Sequence, residues 1–264
     1  MKNKFLIIIF IIFVSLSGFC QELSQPKIIN IAGKQRMLSQ KMTKAKLCIF
    51  YKINVEKYQK EIKSSVILFD ENLKTLNSLE LSVGLREQLL FISNKWNIFK
   101  TAVETDSDDA TAAVLEQNTA ILRSCDQFVY SLVNQKSATA VDANRSSIAL
   151  TVANCGSLRY LSQRIALYYL NGYKNQTESQ SELKLSYSKF DEILQSLKSN
   201  QIINTPEIIT TLEELNTLWA FQKSQNRGTS LKFKRKAIEP EIMLDNLDKI
   251  YVIADKITKM YADL

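Results

Sequence analysis

Residues 33–42 read Gly33-Lys34-Gln35-Arg36-Met37-Leu38-Ser39-Gln40-Lys41-Met42, and residues 156–165 read Gly156-Ser157-Leu158-Arg159-Tyr160-Leu161-Ser162-Gln163-Arg164-Ile165. Five of the ten positions are identical, at an offset of 123 residues. The correspondence continues outward from this pair. Phe69-Asp70-Glu71 with Leu73 and Leu76 answers Phe190-Asp191-Glu192 with Leu194 and Leu197, and Trp96 answers Trp219. Three landmarks in one order, with a small insertion between them, identify an internal duplication.

Each copy reads as four helices. Apolar periodicity places them at 25–52, 56–79, 84–104 and 108–136, then at 140–170, 178–199, 206–226 and 239–262. Leu158, Leu161, Ile165 and Tyr168 fall on one helical face. The punctuation agrees. Asp106-Ser107-Asp108-Asp109 is a capping cluster, and Thr205-Pro206-Glu207 sets a cap residue before a proline at the first helical position. Asn171-Gly172 reads as a helix end, Gly84 and Gly228 as turns, and Glu239-Pro240 as the last start. The scarcity of chain breakers, 6 Gly and 3 Pro in 264 residues, also suits long helices. The expected architecture is all-α, two tandem four-helix up-down bundles. From Ala110 to Cys155 there is no Gly or Pro, so one long continuous helix could join them, with a hinge, if any, at Lys136-Ser137-Ala138-Thr139.

The first residues read as an export signal. Lys2 and Lys4 precede an apolar run from Phe5 to Val14, too short for a bilayer span of about 20 residues. Cleavage is expected after Cys20, giving a leader at 1–20, a first unit at 21–137 and a second at 138–264. Lipid anchoring at Cys20 is the less favoured route, because bulky Phe19 precedes it. No later stretch is apolar enough for a membrane helix, so the mature chain is expected in the periplasm without a transmembrane segment. Loss of the leader lowers the net charge from +7 to about +5. That mild basicity favours anions in a general way, and the short run Lys232 to Lys236 is no nucleic-acid patch. Cys48, Cys125 and Cys155 remain, an odd number that excludes a full disulfide framework but leaves one bridge open.

Chemistry is narrowed by absence. The chain has no histidine, which removes the commonest general base and metal ligand, and it has no phosphate-binding glycine loop. No catalytic residue, metal site or cofactor is expected, and the chain reads as no enzyme. Asp70-Glu71 and Asp191-Glu192 read as solvated helix surface.

One stripe does invite a ligand. Gly33, Arg36 and Gln40 recur as Gly156, Arg159 and Gln163, on a face apart from apolar Leu38, Met42 and Ala45. Glycine inside a helix costs roughly 1 kcal/mol against alanine, so its repetition suggests close approach of a backbone or a ligand. Arginine one turn on offers a planar fork suited to carboxylate or nitrate, and Gln and Ser add neutral donors. The same residues equally suit a structural role, the glycine allowing a tight crossing and the arginine pairing with a neighbouring glutamate.

Ile29-Asn30-Ile31-Ala32-Gly33-Lys34-Gln35-Arg36-Met37-Leu38-Ser39-Gln40-Lys41-Met42 resembles the opening helix of the PilJ-type domain, the N-terminal sensor domain of type IV pilus methyl-accepting chemotaxis transducers. It is also similar to the P-box of nitrate- and nitrite-responsive histidine kinases, and Gly156-Ser157-Leu158-Arg159 is closer still to that version. The resemblance implies a periplasmic four-helix sensor of a small ligand. In the nitrate sensors, arginines from two subunits hold one anion between them. The matching positions are Arg36 and Arg159, beside Gly33 and Gly156. With both boxes in one chain, the two units are expected to pack as a pseudo-dimer around one shared site for a small anion. Asn154-Cys155 replaces Ile31-Ala32, and Tyr160 replaces Met37. Family members usually carry flanking membrane helices and a kinase or methyl-accepting output domain, neither of which is read in these 264 residues. A signal is therefore expected to pass to a separate membrane-bound signalling protein, or the protein only binds. The competing reading is a structural or protein-interaction helical module that binds no small ligand.

Overall fold

The computed structural model describes residues 23–135, 140–173, 177–200, 202–226 and 240–264. They form eight helices: α1 (Gln25–Phe50), α2 (Val55–Asn77), α3 (Val83–Glu104), α4 (Asp108–Val133), α5 (Ala140–Tyr173), α6 (Thr177–Ser199), α7 (Pro206–Asn226) and α8 (Pro240–Ala262). No strand occurs among the described residues. The leader and its cleavage site, the 136–139 hinge, Gly228, Lys232 to Lys236 and Glu239 lie outside them.

Local chemistry sets most of the boundaries. Ser107 Oγ accepts the Ala110 amide at 3.1 Å and starts α4, and Thr205 Oγ1 accepts the Ile208 amide at 3.3 Å ahead of Pro206. Several boundaries differ from the sequence reading. Helix α1 stops at Phe50, because Lys52 and Asn54 take left-handed conformations, φ 59° and 40°, that turn the chain sharply into α2. Helix α4 ends at Val133 with Asn134 as its cap, so it does not run unbroken into α5. Helix α5 continues through Asn171-Gly172 to Tyr173, and Gly84 lies inside the first turn of α3.

Helices α1–α4 make one bundle and α5–α8 a second. In each, the first helix packs between the second and fourth, and the third closes on the fourth. Among the described residues the most extensive helix pairing is between the bundles, where α1 lies along α5. Helix α1 also touches α8, and α5 touches α4, so the central turns of both opening helices are enclosed by neighbours. That explains why α1 is buried on its polar stripe as well as its apolar one: Arg36, Gln40 and Lys44 are as inaccessible as Leu38 and Met42. Apolar residues of all eight helices form one continuous core.

The repeated landmarks do the same work in both bundles. Phe69 stacks on Trp96 at 3.9 Å and Phe190 on Trp219 at 4.0 Å. The Trp96 indole donates to Asp70 at 2.7 Å, and Lys100 donates to its other oxygen at 2.8 Å. Asp191 receives Trp219 at 2.8 Å and Lys223 at 2.6 Å. These aspartates are therefore not free helix surface. They tie the second helix of each bundle to the third, because a buried indole N–H needs an acceptor.

Cys48, Cys125 and Cys155 are buried free thiols, and burial pushes each up to about 12. They behave as small core residues rather than nucleophiles.

Candidate functional site

The α1–α5 seam holds both repeated arginines, fully buried. Arg36 leaves α1 and crosses to α5, where Nη2 donates to the Ala153 carbonyl at 2.9 Å and Nη1 to Ser157 Oγ at 3.3 Å. Arg159 leaves α5 and crosses to α1, donating from Nη1 to Asn30 Oδ1 at 2.8 Å and from Nη2 to the Asn30 carbonyl at 3.3 Å. Each also meets an aspartate of its own bundle's last helix: Arg36 Nη1 lies 2.7 Å from Asp126 Oδ1, and Arg159 Nη1 lies 2.8 Å from Asp255 Oδ1. The counter-charge is aspartate from the fourth helix, not glutamate.

The glycines make the room. A Cβ on Gly33 would lie 3.0 Å from Arg159 Nη2 and 3.4 Å from Arg36 Nη2, and one on Gly156 would lie 3.1 and 3.3 Å from the same two atoms. Both guanidinium groups thus share a single gap that exists because two side chains are missing. Alanine in a helix normally gains about 1 kcal/mol over glycine, but these guanidiniums are pinned and cannot yield cheaply. Crowding of this kind costs about 1–3 kcal/mol. Gly33→Ala and Gly156→Ala are therefore expected to lower the thermal midpoint. Gly84→Ala, with nothing within 4 Å of its new methyl, is expected to raise it slightly.

The other motif residues divide. Ser39 and Ser162 donate to the carbonyls of Arg36 and Arg159 in their own helices, each at 2.8 Å, so they stiffen the box rather than face a partner. Gln40 donates to Asn118 at 2.5 Å and accepts Arg164 at 3.2 Å. Gln163 is as deeply buried, yet neither its Nε2 nor its Oε1 has a partner among the described residues. The reason lies in the fourth helices. Asp126 and Asp255 match at an offset of 129 residues, as do Val114 and Met243, and Ile121 and Ile250. In that register Leu247 stands where Asn118 stands. Arg36 Nε and Arg159 Nε also lack acceptors.

Electrostatics tilt the seam towards positive charge on the Arg159 side. Lys259 reaches Asp255 at 2.8 Å, and burial with the nearby Arg159 and Lys259 charges holds Lys34 below its usual range despite the pull of Asp255. Burial pushes the Asp255 carboxyl up, but Arg159 and Lys259 outweigh it and leave the group below the usual carboxylate range. Asp248 is likewise held low, as Lys44 and Lys57 overcome its burial. A carboxyl depressed by folding stabilises the native state above its unfolded value near 3.8, and that contribution disappears as pH falls through the lower folded value. Denaturant midpoints should accordingly hold down to about pH 4 and then drop. Asp255→Asn should start less stable and show a shallower acid decline.

A second polar cluster lies where α1, α2 and α8 meet. Lys44, fully buried, contacts Glu61 at 3.0 Å and Asp248 at 2.9 Å. Burial opposes its charge, but the two carboxylates prevail and raise its pKa. Lys41 adds to Glu61 at 3.7 Å and sits over the Tyr251 ring at 5.1 Å. The repeat points to neither Lys44 nor Asp248, since Leu167 and Thr119 occupy the matching positions. Asp126 and Asp255, by contrast, could be found by extending the repeat into the fourth helices.

Among the described residues no group of His, Cys, Asp and Glu could hold a metal ion, and no helix is long and apolar enough to cross a membrane. No curated protein and no solved structure gives a significant match to the chain. A family match covers α1 to α4, including the first Gly-x-x-Arg box and its Asp126 partner, and extends to residue 143. Residues 20–143 match the model of the PilJ family, the N-terminal domain of type IV pili methyl-accepting chemotaxis transducers.

Proposed function

We propose that this protein is a periplasmic sensory module for a small planar anion, nitrate-like or carboxylate, with the α1–α5 seam as its recognition element. In this reading residues 138–264 are a second PilJ-type unit, and the seam is the single-chain equivalent of a contact between two sensor subunits. Gly33, Arg36 and Gln40 face Gly156, Arg159 and Gln163, and output passes to a separate membrane-bound signalling protein. The observation that carries the proposal is a set of buried donors without acceptors: Arg36 Nε, Arg159 Nε and Gln163 Nε2. Native interiors rarely leave such groups unsatisfied, and an anion supplies several acceptors at once. The excess of cations around Asp255 supports the same polarity.

A second reading rests on a specific contact. Because Asp126 and Asp255 already neutralise the arginines, the seam also works as a lock that joins two bundles into an interaction module with no small ligand. Calorimetry separates the two. Titration with nitrate, nitrite and acetate is expected to show one saturable site per chain for at least one anion. Binding should be lost in Arg36→Lys and Arg159→Lys, with folding verified by thermal unfolding. Absence of heat from all three anions with the folded wild type would leave only the lock.

A further inference from the structure

We infer that a second ligand site lies outside the seam, in the groove between α4, α5 and α6, and that it takes a small organic monocarboxylate with an apolar body. The groove encloses about 200 Å³. At about 30 Å³ per water, that is room for a molecule of roughly six to ten heavy atoms. Its walls combine Arg123, Lys189 and Asp126 with Tyr160, Leu122 and Leu185.

The charges in the groove are not balanced. Its two carboxylates are already engaged, Asp126 with Arg36 at 2.7 Å and Glu182 with Arg164 at 3.0 Å. Arg123 and Lys189 have no ion-pair partner among the described residues. Two unpaired cations over leucine side chains, one of them Leu185 at 56 % exposure, fit a carboxylate head on an apolar tail.

The repeat supplies a built-in comparison. The matching positions on α8, α1 and α2 carry different chemistry. Tyr251 stands there where Leu122 stands here, and buried Lys44 bridges Glu61 and Asp248 where Leu167 and Thr119 match it here. Leu68 stands in place of Lys189 and Val252 in place of Arg123, so both unpaired cations are specific to this groove. One copy sets Tyr251 beside Lys41, above the buried Lys44 cluster; the other sets Leu122 there and adds Arg123 and Lys189 to the wall.

The position also links the groove to the seam. Tyr160 lines the groove and carries the Arg36 guanidinium against its ring at 5.4 Å. Asp126 joins the two places directly, since its carboxylate is partly exposed at the groove while holding Arg36. An acid bound to Arg123 and Lys189 would sit against the residues that fix one of the two crossing arginines.

The test uses benzoate and pentanoate as probes on the full chain, by calorimetry and by thermal shift. Saturable binding of at least one probe is expected. The surface double variant Arg123→Glu with Lys189→Glu should weaken it at least tenfold, and Leu122→Tyr, which sets in the groove the ring that Tyr251 places in the other copy, should abolish it. Arg159→Lys, on the far side of the seam, should leave it within about twofold, which separates this site from the seam anion site. No saturable binding to the wild type, or unchanged affinity in the folded charge-reversed variant, would overturn the inference.

Discussion

Replacing Arg159 with methionine should destabilise the protein by about 3–5 kcal/mol, the range found when one partner of a buried ion pair is removed. Three interactions are lost together: the Asp255 pair and the two donations to Asn30 across the seam. The hydrophobic replacement retains most of the packing, so the loss reports on charge and hydrogen bonding rather than on a void. Asp255, with only 15 % of its side chain exposed, keeps Lys259 but loses its inner partner. Arg36→Met should cost less, because Asp126 is 33 % exposed and water can replace part of what is lost. Chemical denaturation with both variants checks the order as well as the size. Equal and small effects, below about 1 kcal/mol, would show that the arginines are not the seam's main ties.

Lys44→Met is expected to have the next largest effect, about 3 kcal/mol. It leaves Glu61 and Asp248 facing each other near the core, with Lys41 at 3.7 Å and Lys57 at 3.4 Å as the remaining cations. Removing the whole cluster is a different matter. Buried ion groups replaced together by well-packed apolar residues of similar volume are often no less stable than the original, so Lys44→Met combined with Glu61→Met and Asp248→Leu should recover most of the loss. Failure to recover would mean that Lys44 acts through more than these two carboxylates, its ammonium group lying 5.4 Å from the Tyr58 ring centroid.

The helices were legible because their signals are local. Ser107, Thr205 and Pro206 announce their ends, and apolar spacing sets their faces. The reversal at Lys52 and Asn54 carried no such mark, because neither residue is a glycine and the left-handed turn is imposed by α2 packing back on α1. At Asn171-Gly172 the opposite happened: a local stop signal was overridden as α5 ran on to Tyr173.

The candidate site was half legible. Repetition singled out Gly33, Arg36, Gly156 and Arg159, and the gap they share is a property of those residues. What Arg36 and Arg159 touch depends on helix register, which no short motif encodes. Asp126 and Asp255 lie 90 and 96 residues beyond their arginines, each one of many acidic residues. Asn30 matters because it stands one turn before Gly33, where the crossing arginine arrives. The stranded Gln163 follows from a single difference between the copies, Leu247 against Asn118, which no one-helix reading could weigh.

The central claim is that the two copies meet along α1 and α5 through arginines that cross between them. A double-mutant cycle on Asn30 and Arg159 tests it most directly, since these residues are 129 positions apart and interact only if the seam exists. Unfolding free energies of Asn30→Ala, Arg159→Met and the double variant should reveal a coupling of about 1–3 kcal/mol, as for residues in direct hydrogen-bonded contact. Additivity within about 0.3 kcal/mol would contradict the seam.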